Sequence, residues 1–331
     1  MRYFGSKVST LEALYSIISA RVPTGSFCDP FGGIGSVGSF FKLKGYNIWS
    51  GDVLRFPYYF QIARLRSSKS LFQKLLYELS LNEMTEICQL LNSGKSTDGW
   101  FAREYARRRQ FFSVDNALRV QSCRMQIKYW AKKGWVDCEE HAILLASLIN
   151  SMDKVANTAG TYYAFLKNWH RKALNDFKFE FIAPVPADTD AYCFNEDALA
   201  LVKRQFFDVI YLDPPYNERS YSHYYHLPET IAHEATPRVH GLSGIPDRTS
   251  RTSKFNSPKE AKQSLEELLS ASSCNLLVFH YADNGIIPKD DVEMILSSYG
   301  AVESFYIDSK GYSTKLKSRT TQHHLYMVQN V

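Results

Sequence analysis

The tetrapeptide Asp213-Pro214-Pro215-Tyr216 is the part of the sequence whose residue types most directly indicate chemistry. Proline has a fixed φ and no N–H, so the Pro214 carbonyl can be held rigidly beside the Asp213 carboxylate as two acceptors for one amino group. The amine of a nucleobase is a poor nucleophile, and accepting both of its protons frees its lone pair toward an electrophile. Because Tyr216 also offers a flat face for stacking, the tetrapeptide predicts a site that activates a base amine.

A glycine-rich segment, Asp29-Pro30-Phe31-Gly32-Gly33-Ile34-Gly35-Ser36-Val37-Gly38, follows an early apolar run. Glycines allow a tight turn and the close approach of a ligand to the backbone. The next apolar run ends at Gly51-Asp52, where a carboxylate can accept hydrogen bonds from both hydroxyls of an adenosine ribose. These features predict a nucleoside-containing cofactor. The spacing Gly33-x-Gly35-x-x-Gly38 also matches an NAD-binding pattern, so an NAD-dependent dehydrogenase is an alternative in which the Asp213 tetrapeptide has no role.

Short apolar runs alternate with helical patterns along the chain, which is typical of a parallel α/β sheet of about seven strands. The predicted strands are Ser26 to Asp29, Tyr46 to Gly51, Ala191 to Asn195, Phe206 to Leu212, Asn275 to Tyr281, Val302 to Ile307 and His324 to Gln329. Ligands of open α/β sheets lie beyond the carboxyl ends of the strands, so the glycine segment and the tetrapeptide should face one crevice.

Between the second and third predicted strands, the patterns indicate helices at Ser70 to Leu81, Ser113 to Lys133 and Cys138 to Ala159. We therefore expect a catalytic domain made of residues 1–65 and 170–331, with a helical insertion at 66–169. The polar stretch 236–258 is predicted to be a mobile basic loop.

Composition excludes several classes of protein. The chain has 331 residues, of which 45% are hydrophobic, and no apolar run approaches the roughly 18 residues that a membrane span needs. The start of the sequence lacks the apolar region of an export signal, and the six cysteines are far apart, so we expect a cytoplasmic protein without disulfides. His223, His226, His233 and His240 lie close together, but no further ligand pattern completes a metal site, and we predict none.

Positive charge is concentrated in one segment. Residues 101–135 hold nine basic and two acidic side chains, whereas the whole chain has a net charge of +5. Such a segment can neutralise DNA phosphates, although a solvated helix face is the simpler explanation. The candidate contacts to nucleic acid are Arg107, Arg108, Arg109, Lys128 and, in the 236–258 loop, Arg248 and Arg251.

The residues described above resemble those of the class D12 DNA adenine-N6 methyltransferases, the S-adenosylmethionine-dependent enzymes of restriction-modification systems. The resemblance covers most of the chain in the family's order. It comprises Arg2-Tyr3-Phe4-Gly5-Ser6-Lys7, the glycine segment, Gly51-Asp52, Asn195-Glu196-Asp197-Ala198, the Asp213 tetrapeptide, Asn217-Glu218-Arg219-Ser220-Tyr221 and Tyr225 to Ala232. The segment Phe279-His280-Tyr281-Ala282-Asp283-Asn284-Gly285 matches the family's S-Y-N-x-E-G pattern only in part.

The resemblance implies a Rossmann-like class I methyltransferase sheet with a helical insertion that recognises the DNA target, S-adenosyl-L-methionine as cofactor, double-stranded DNA as substrate and a cognate restriction endonuclease as a candidate partner. It also implies roles for individual residues. Lys7, Phe31, Gly33 and Asp52 would hold the methionine and ribose parts of the cofactor, and Asp197 its adenine amino group. Tyr3, Asp29, Pro30, Gly35 and Asp213 are further cofactor candidates, Arg219 is a nucleic-acid candidate, and Asp213, Pro214, Pro215 and Tyr216 are the catalytic candidates.

Other acceptors would suit the same fold. Cytosine N4, RNA adenine or a protein amide also present an amine to such a tetrapeptide. The first-position Asp213 favours adenine by family resemblance, and the basic insertion favours nucleic acid over protein. A catalytically silent DNA-binding protein is a further alternative, against which the intact tetrapeptide argues.

Overall fold

The chain forms two compact units in the computed structural model, which describes residues 1, 3, 5, 7–66, 71–247, 252–310 and 320–331. The sheet unit contains Gly5–Val53, Val185–Ser220 and Arg251–Val331. The helical unit contains Met1–Phe4, Leu54–Pro184 and Tyr221–Ser250. Each unit therefore collects segments that are distant in sequence.

All seven predicted strands are present, each within a few residues of its expected bounds. The strands of the described residues are β1 (Ser26–Asp29), β2 (Asn47–Gly51), β3 (Ala191–Phe194), β4 (Phe207–Leu212), β5 (Val239–His240), β6 (Ile245–Pro246), β7 (Cys274–Ala282), β8 (Val302–Lys310) and β9 (Thr320–Gln329). Seven of them form one sheet in the order β3-β2-β1-β4-β7-β9-β8, and β5 pairs with β6 as a separate hairpin.

The strand order contains a reversal at the place where the sequence predicts a ligand crevice. Strands β3, β2, β1, β4 and β7 are parallel, whereas β9 runs antiparallel between β7 and β8. The order reverses between β1 and β4, which pair through Phe27 with Val209 and Cys28 with Ile210. A reversal of this kind is where ligands of open α/β sheets bind, and β1 leads there into the glycine segment and β4 into Asp213.

The core of the sheet unit is built on its central strands. Residues 209–212 of β4 and 276–281 of β7 are buried, as expected for parallel strands that are covered on both faces. At the opposite end of the strands, the Asp208 carboxylate accepts hydrogen bonds from the backbone N–H and the hydroxyl of Ser26, both at 2.8 Å, and from the Asn275 side chain at 3.0 Å. This carboxylate ties β1, β4 and β7 together.

Helices make up most of the helical unit and also occur in the sheet unit. The described helices are α1 (Leu11–Ser19), α2 (Ser36–Leu43), α3 (Arg55–Leu65), α4 (Gln73–Leu79), α5 (Met84–Ser93), α6 (Trp100–Ala102), α7 (Val114–Lys132), α8 (Cys138–Asp153), α9 (Ala198–Val202), α10 (Tyr221–Tyr224), α11 (His226–Ala232), α12 (Ala261–Ser270) and α13 (Lys289–Ser297). Short 3-10 turns lie at Val8–Thr10, Arg171–Leu174 and Lys254–Asn256, and a π-helical turn at Arg103–Arg107. Among the described helices, none is both long and apolar enough to cross a bilayer.

The helical unit is larger than the insertion that the sequence predicts at 66–169. It also takes in α3, α10 and α11. The physical link is the buried Glu229 of α11, whose carboxylate accepts hydrogen bonds from the backbone N–H groups of Arg55 and Phe56 at 3.0 and 2.9 Å. These N–H groups belong to the first turn of α3 and have no partner within the helix, so Glu229 caps α3.

Two of the three predicted helices of the insertion have different bounds in the structure. Helix α7 matches its prediction and begins at the Ser113 cap. Helix α4 is shorter than expected, and Ser70 lies outside the described residues. Helix α8 ends at Asp153, six residues before the predicted end, because Asn157 makes tertiary hydrogen bonds instead. Its backbone N–H donates to the Phe111 carbonyl at 2.7 Å and its side chain to the Gln110 carbonyl at 3.0 Å.

Part of the stretch predicted to be a mobile loop contains regular secondary structure, and its mobility stays a prediction. Strands β5 and β6 lie within it, and the helical segment that precedes α7 donates hydrogen bonds to this hairpin. The Tyr105 hydroxyl donates to the Gly244 carbonyl at 2.8 Å, and the Trp100 indole to the Pro237 carbonyl at 2.9 Å. Residues 248–251, which include Arg248 and Arg251, lie outside the described residues.

Candidate active site

The Asp213 tetrapeptide directly follows β4 and carries a close ion pair. The Lys7 ammonium lies 2.7 Å from Oδ2 of Asp213, with side chains only 4% and 17% exposed. Burial raises the pKa of Asp213, and the Lys7 cation opposes this rise. Lys7 also lies 5.9 Å from the centroid of the Tyr216 ring. The site therefore keeps an acceptor carboxylate beside a buried cation.

Asp29, at the end of β1, is the most unusual carboxyl group of the site. It is buried, and neither of its oxygens has a hydrogen-bond partner of good geometry. Burial and the neighbouring Asp213 raise the pKa of Asp29 well above its usual range, against smaller opposing effects of the Phe31 N–H and Lys7. An unsatisfied buried carboxyl is costly, so this position suits a ligand that brings a cation or a hydrogen-bond donor.

The glycine segment turns sharply from β1 into α2. Gly33 and Gly35 have φ of +50° and +77°, a left-handed conformation that side chains with a Cβ adopt at a cost. The Gly32 N–H donates to the Gly51 carbonyl at 2.8 Å, which joins this turn to the end of β2. The Asp52 N–H in turn donates to the Phe194 carbonyl of β3 at 3.1 Å. The carboxyl ends of three neighbouring strands are thereby held in register.

Tyr216 is held by aromatic neighbours within the sheet unit. The rings of Tyr281 and His323 each meet it edge to face at 82°, with centroids 6.4 and 5.9 Å away. The Tyr216 carbonyl accepts a hydrogen bond from the Ile286 N–H at 3.0 Å. Burial raises the pKa of Tyr216 to about 12, so the phenol stays neutral and the ring can serve as a stacking face.

Comparison with known proteins identifies the family. The model of the D12 class N6 adenine-specific DNA methyltransferases matches residues 3–295. The chain belongs to this family. The seven-stranded order described above is the Rossmann-like methyltransferase sheet that the resemblance implies, so that expectation is confirmed.

Named relatives agree with this membership. The chain is 29% identical to type II methyltransferase M.FokI of Planomicrobium okeanokoites over 99% of its length, and 30% identical to modification methylase StsI of Streptococcus sanguinis over 97%. It spans about half of these relatives, 52% and 50% respectively. Type II methyltransferase M.NlaIII of Neisseria lactamica is 30% identical to this chain. The alignment covers 91% of this chain and 89% of M.NlaIII.

The chemistry of the donor set fits the cofactor expected of a D12 methyltransferase. S-adenosylmethionine carries an ammonium group, a sulfonium and two ribose hydroxyls, all of which suit carboxyl partners. A dinucleotide such as NAD would bring its anionic pyrophosphate to the glycine turn. Because Asp213 carries a negative charge close to Asp29 and to that turn, repulsion disfavours the pyrophosphate. These residues therefore fit S-adenosylmethionine better than NAD.

The sheet unit contains all of the predicted cofactor and catalytic residues except Tyr3. The Tyr3 ring belongs to the helical unit, where it stacks on Tyr225 at 5.1 Å. Asp197 is exposed at the start of α9, and its carboxylate accepts a hydrogen bond from the Leu199 N–H at 3.0 Å, which makes it the cap of that helix. Its contact with the adenine amino group of the cofactor, which the resemblance implies, stays a prediction.

The predicted nucleic-acid residues fall into different environments. Lys128 and Arg219 are exposed. Arg107 and Arg108 are also exposed and pair with Asp98 and Glu104 at 2.7 and 2.9 Å. Arg109 differs, because its guanidinium donates to the Gly241 carbonyl from Nε and Nη2 and to Glu104 from Nη1. These bonds attach Arg109 to the β5–β6 hairpin, and its contact with phosphate stays a prediction.

Sequence reasoning missed a buried chain of polar rings next to Tyr216. The Tyr211 hydroxyl lies 2.7 Å from Nδ1 of His280, and Nε2 of His280 lies 3.1 Å from Nδ1 of His323. The only signal for it was the partial motif match around His280, and nothing in the local sequence of His323 marks it. Among the described residues, no group of three potential metal ligands converges here or elsewhere.

Proposed function

We propose that the protein transfers a methyl group from S-adenosylmethionine to N6 of adenine at a specific site in duplex DNA. The observation that carries this proposal is the Lys7–Asp213 ion pair at the end of β4, which borders β1 and its glycine turn at the reversal of strand order. Membership of the D12 family supports adenine N6 as the acceptor and DNA as the substrate.

The cofactor supplies an electrophilic methyl group when it is bound. Asp29 and Asp52 would hold its ammonium and ribose hydroxyls, Phe31 and Gly33 would line the methionine part, and Asp197 would accept from its adenine amine. The ionised Asp213 and the Pro214 carbonyl accept the two protons of N6. These hydrogen bonds strengthen as the nitrogen becomes cationic, so they lower the barrier of the transfer rather than only binding the base.

The target adenine must leave the duplex for this arrangement to work. N6 of a paired adenine lies at the edge of a stacked base, where Asp213 and Pro214 cannot both reach it. Flipping the nucleotide out costs a few kcal/mol. Stacking on Tyr216 offsets part of this cost, because a base–aromatic contact is worth about 1–3 kcal/mol.

The helical unit supplies the contact to DNA in this proposal. Arg107, Arg108 and Lys128 are exposed on its basic segment, and Arg219 is exposed close to the tetrapeptide in sequence. The relatives are type II methyltransferases and modification methylases, which supports a cognate restriction endonuclease as partner. A cytoplasmic location belongs to the same proposal, and six cysteines without disulfides suit a reducing compartment.

The experiment compares Asp213→Ala with the wild-type protein. Sequencing that detects modified bases, applied to DNA from cells expressing each protein, reports the base, the atom and the sequence context. We expect N6-methyladenine at one sequence with the wild type and none with Asp213→Ala, whereas calorimetry should find S-adenosylmethionine affinity nearly unchanged. Asp290→Ala, an exposed carboxylate of α13, is the matched control and should methylate normally.

The possible results separate the alternatives. Methylation at cytosine N4, or on RNA alone, would assign the fold to another acceptor. Tight binding of NAD without binding of S-adenosylmethionine would refute the methyltransferase assignment. Wild-type turnover by Asp213→Ala would show that the hydrogen-bonding mechanism is wrong even if adenine is methylated.

A further inference from the structure

Three neighbouring strands of the sheet unit contribute one buried chain of polar rings, Tyr211 from β4, His280 from β7 and His323 from β9. The three side chains are at most 5% exposed. The Tyr211 hydroxyl and His280 are 2.7 Å apart, and His280 and His323 are 3.1 Å apart. Buried polar groups need hydrogen-bond partners, and each of these side chains finds one in its neighbour on the adjacent strand.

The last ring of this row, His323, contacts Tyr216, the candidate catalytic tyrosine. The His323 ring meets Tyr216 edge to face, with centroids 5.9 Å apart at 82°. The His280 and His323 rings are themselves perpendicular, at 79° and 5.1 Å. Because an edge-to-face pair is directional, the orientation of the His323 ring affects the orientation of Tyr216, and the hydrogen bond between His280 and His323 restricts how His323 can turn.

Both imidazoles remain neutral in this place. Burial, together with the Lys7 ammonium, lowers the pKa of His280 well below its usual range and that of His323 to about 4, although Asp283 opposes the shift at His323. A neutral imidazole has one N–H donor and one acceptor nitrogen, so each ring can link two neighbours. The row of polar rings therefore places no second cation beside the Lys7–Asp213 pair.

We propose that His323, oriented by His280, is a positioning residue that holds the Tyr216 ring in the orientation that stacks on the flipped adenine. This inference rests on the proposed function, because it assigns Tyr216 the base-stacking role. It adds two residues that do not touch the base or the cofactor and act through Tyr216. The alternative is that these three side chains only fill the core and hydrogen-bond to one another.

Two substitutions at His323 separate the ring contact from the hydrogen bond. His323→Phe keeps an aromatic ring against Tyr216 and loses the bond to His280. His323→Asn keeps a polar group for His280 and loses the aromatic ring. If His323 positions Tyr216, His323→Asn should raise KM for the target duplex by roughly tenfold, near the upper end for an aromatic pair, and leave kcat and cofactor affinity nearly unchanged. His323→Phe should raise KM much less.

A fluorescent base gives a readout that a purely structural role would not move. With 2-aminopurine at the target position, found first by sequencing of methylated DNA, His323→Asn should brighten the duplex less than the wild type, and His323→Phe should brighten it nearly as well. The matched control is His324→Asn, because His324 is also buried on β9 but stacks on Tyr326, with ring centroids 5.5 Å apart. It should alter thermal stability without changing KM or the fluorescence.

His280→Phe keeps the proposal testable if His323→Asn does not fold, and should raise KM in the same direction by a smaller factor. Unchanged KM and fluorescence in a folded His323→Asn or His280→Phe would overturn the positioning role, as would equal losses in His324→Asn. A wild-type protein that methylates no adenine in DNA would instead refute the proposed function, so the two failures are distinguishable.

Discussion

Replacing Lys7 with Met removes the cation that keeps Asp213 ionised. Asp213 accepts the protons of N6 only as a carboxylate, so turnover should fall as the pH drops through its pKa. Burial raises this pKa above the usual value, and Lys7, 2.7 Å away, lowers it. Loss of Lys7 therefore moves the acid limb of the rate profile to higher pH.

The size of the shift follows from the geometry of the pair. Both side chains are largely buried, so solvent screens the interaction little. A charge-assisted hydrogen bond contributes about 1.5–3 kcal/mol. Because about 1.4 kcal/mol corresponds to one pH unit, the acid limb of Lys7→Met should move up by roughly one to two pH units.

The assay is single-turnover methylation of target DNA between pH 5 and about 9, a range that spans the titration of perturbed carboxyls. Cofactor must be saturating, because Lys7 is also a cofactor candidate. Lys44→Met is the control, since Lys44 pairs with Glu12 at 3.5 Å at the surface of the same unit. An acid limb that stays in place, or that moves to lower pH, would refute the electrostatic role assigned to Lys7.

Three further predictions concern other parts of the chain. Burial raises the pKa of Asp29 in the folded protein above its pKa in the unfolded chain. The free energy of unfolding therefore falls as the pH rises from the unfolded-state pKa to the folded-state pKa. Asp29→Asn removes this loss and should raise the melting temperature at pH 8. Calorimetry should show that the same variant binds S-adenosylmethionine more weakly. A lower melting temperature of Asp29→Asn would contradict the inference that the buried carboxyl lacks partners and destabilises the fold. Arg108→Gln and Lys128→Gln should each reduce the salt slope of DNA binding by about one unit, unlike Lys74→Gln, and unchanged slopes would indicate a solvated helix face. Helix α8 begins with a reciprocal cap, in which the side chains of Asp137 and Glu140 each accept a hydrogen bond from the other's backbone N–H. Asp137→Ala removes this cap and should lower the free energy of unfolding, measured by urea titration, by about 0.5–2 kcal/mol.

Local sequence was sufficient to predict the elements of the sheet and the place of its chemistry. Short runs rich in apolar residues predict all seven strands, and they are most continuous in the buried β4 and β7, because a strand that is covered on both faces needs continuous apolar residues. The rule that ligands bind beyond the carboxyl ends of such strands placed Asp29 and Asp213 at one end of neighbouring strands, as the structure has them. Helix α7 was predicted for a similar local reason, since Ser113 and Gly134 mark its two ends.

Contacts between distant segments decided what the sequence alone did not determine. Helix α8 ends early because Asn157 bonds the backbone near Phe111, and the Arg109 guanidinium donates to the Gly241 carbonyl of the β5–β6 hairpin. The Lys7–Asp213 pair and the His280–His323 bond likewise join residues that only the folded sheet brings together. Periodicity and propensity describe a residue through its neighbours in the chain, whereas a hydrogen bond, an ion pair or a shifted pKa depends on neighbours in space.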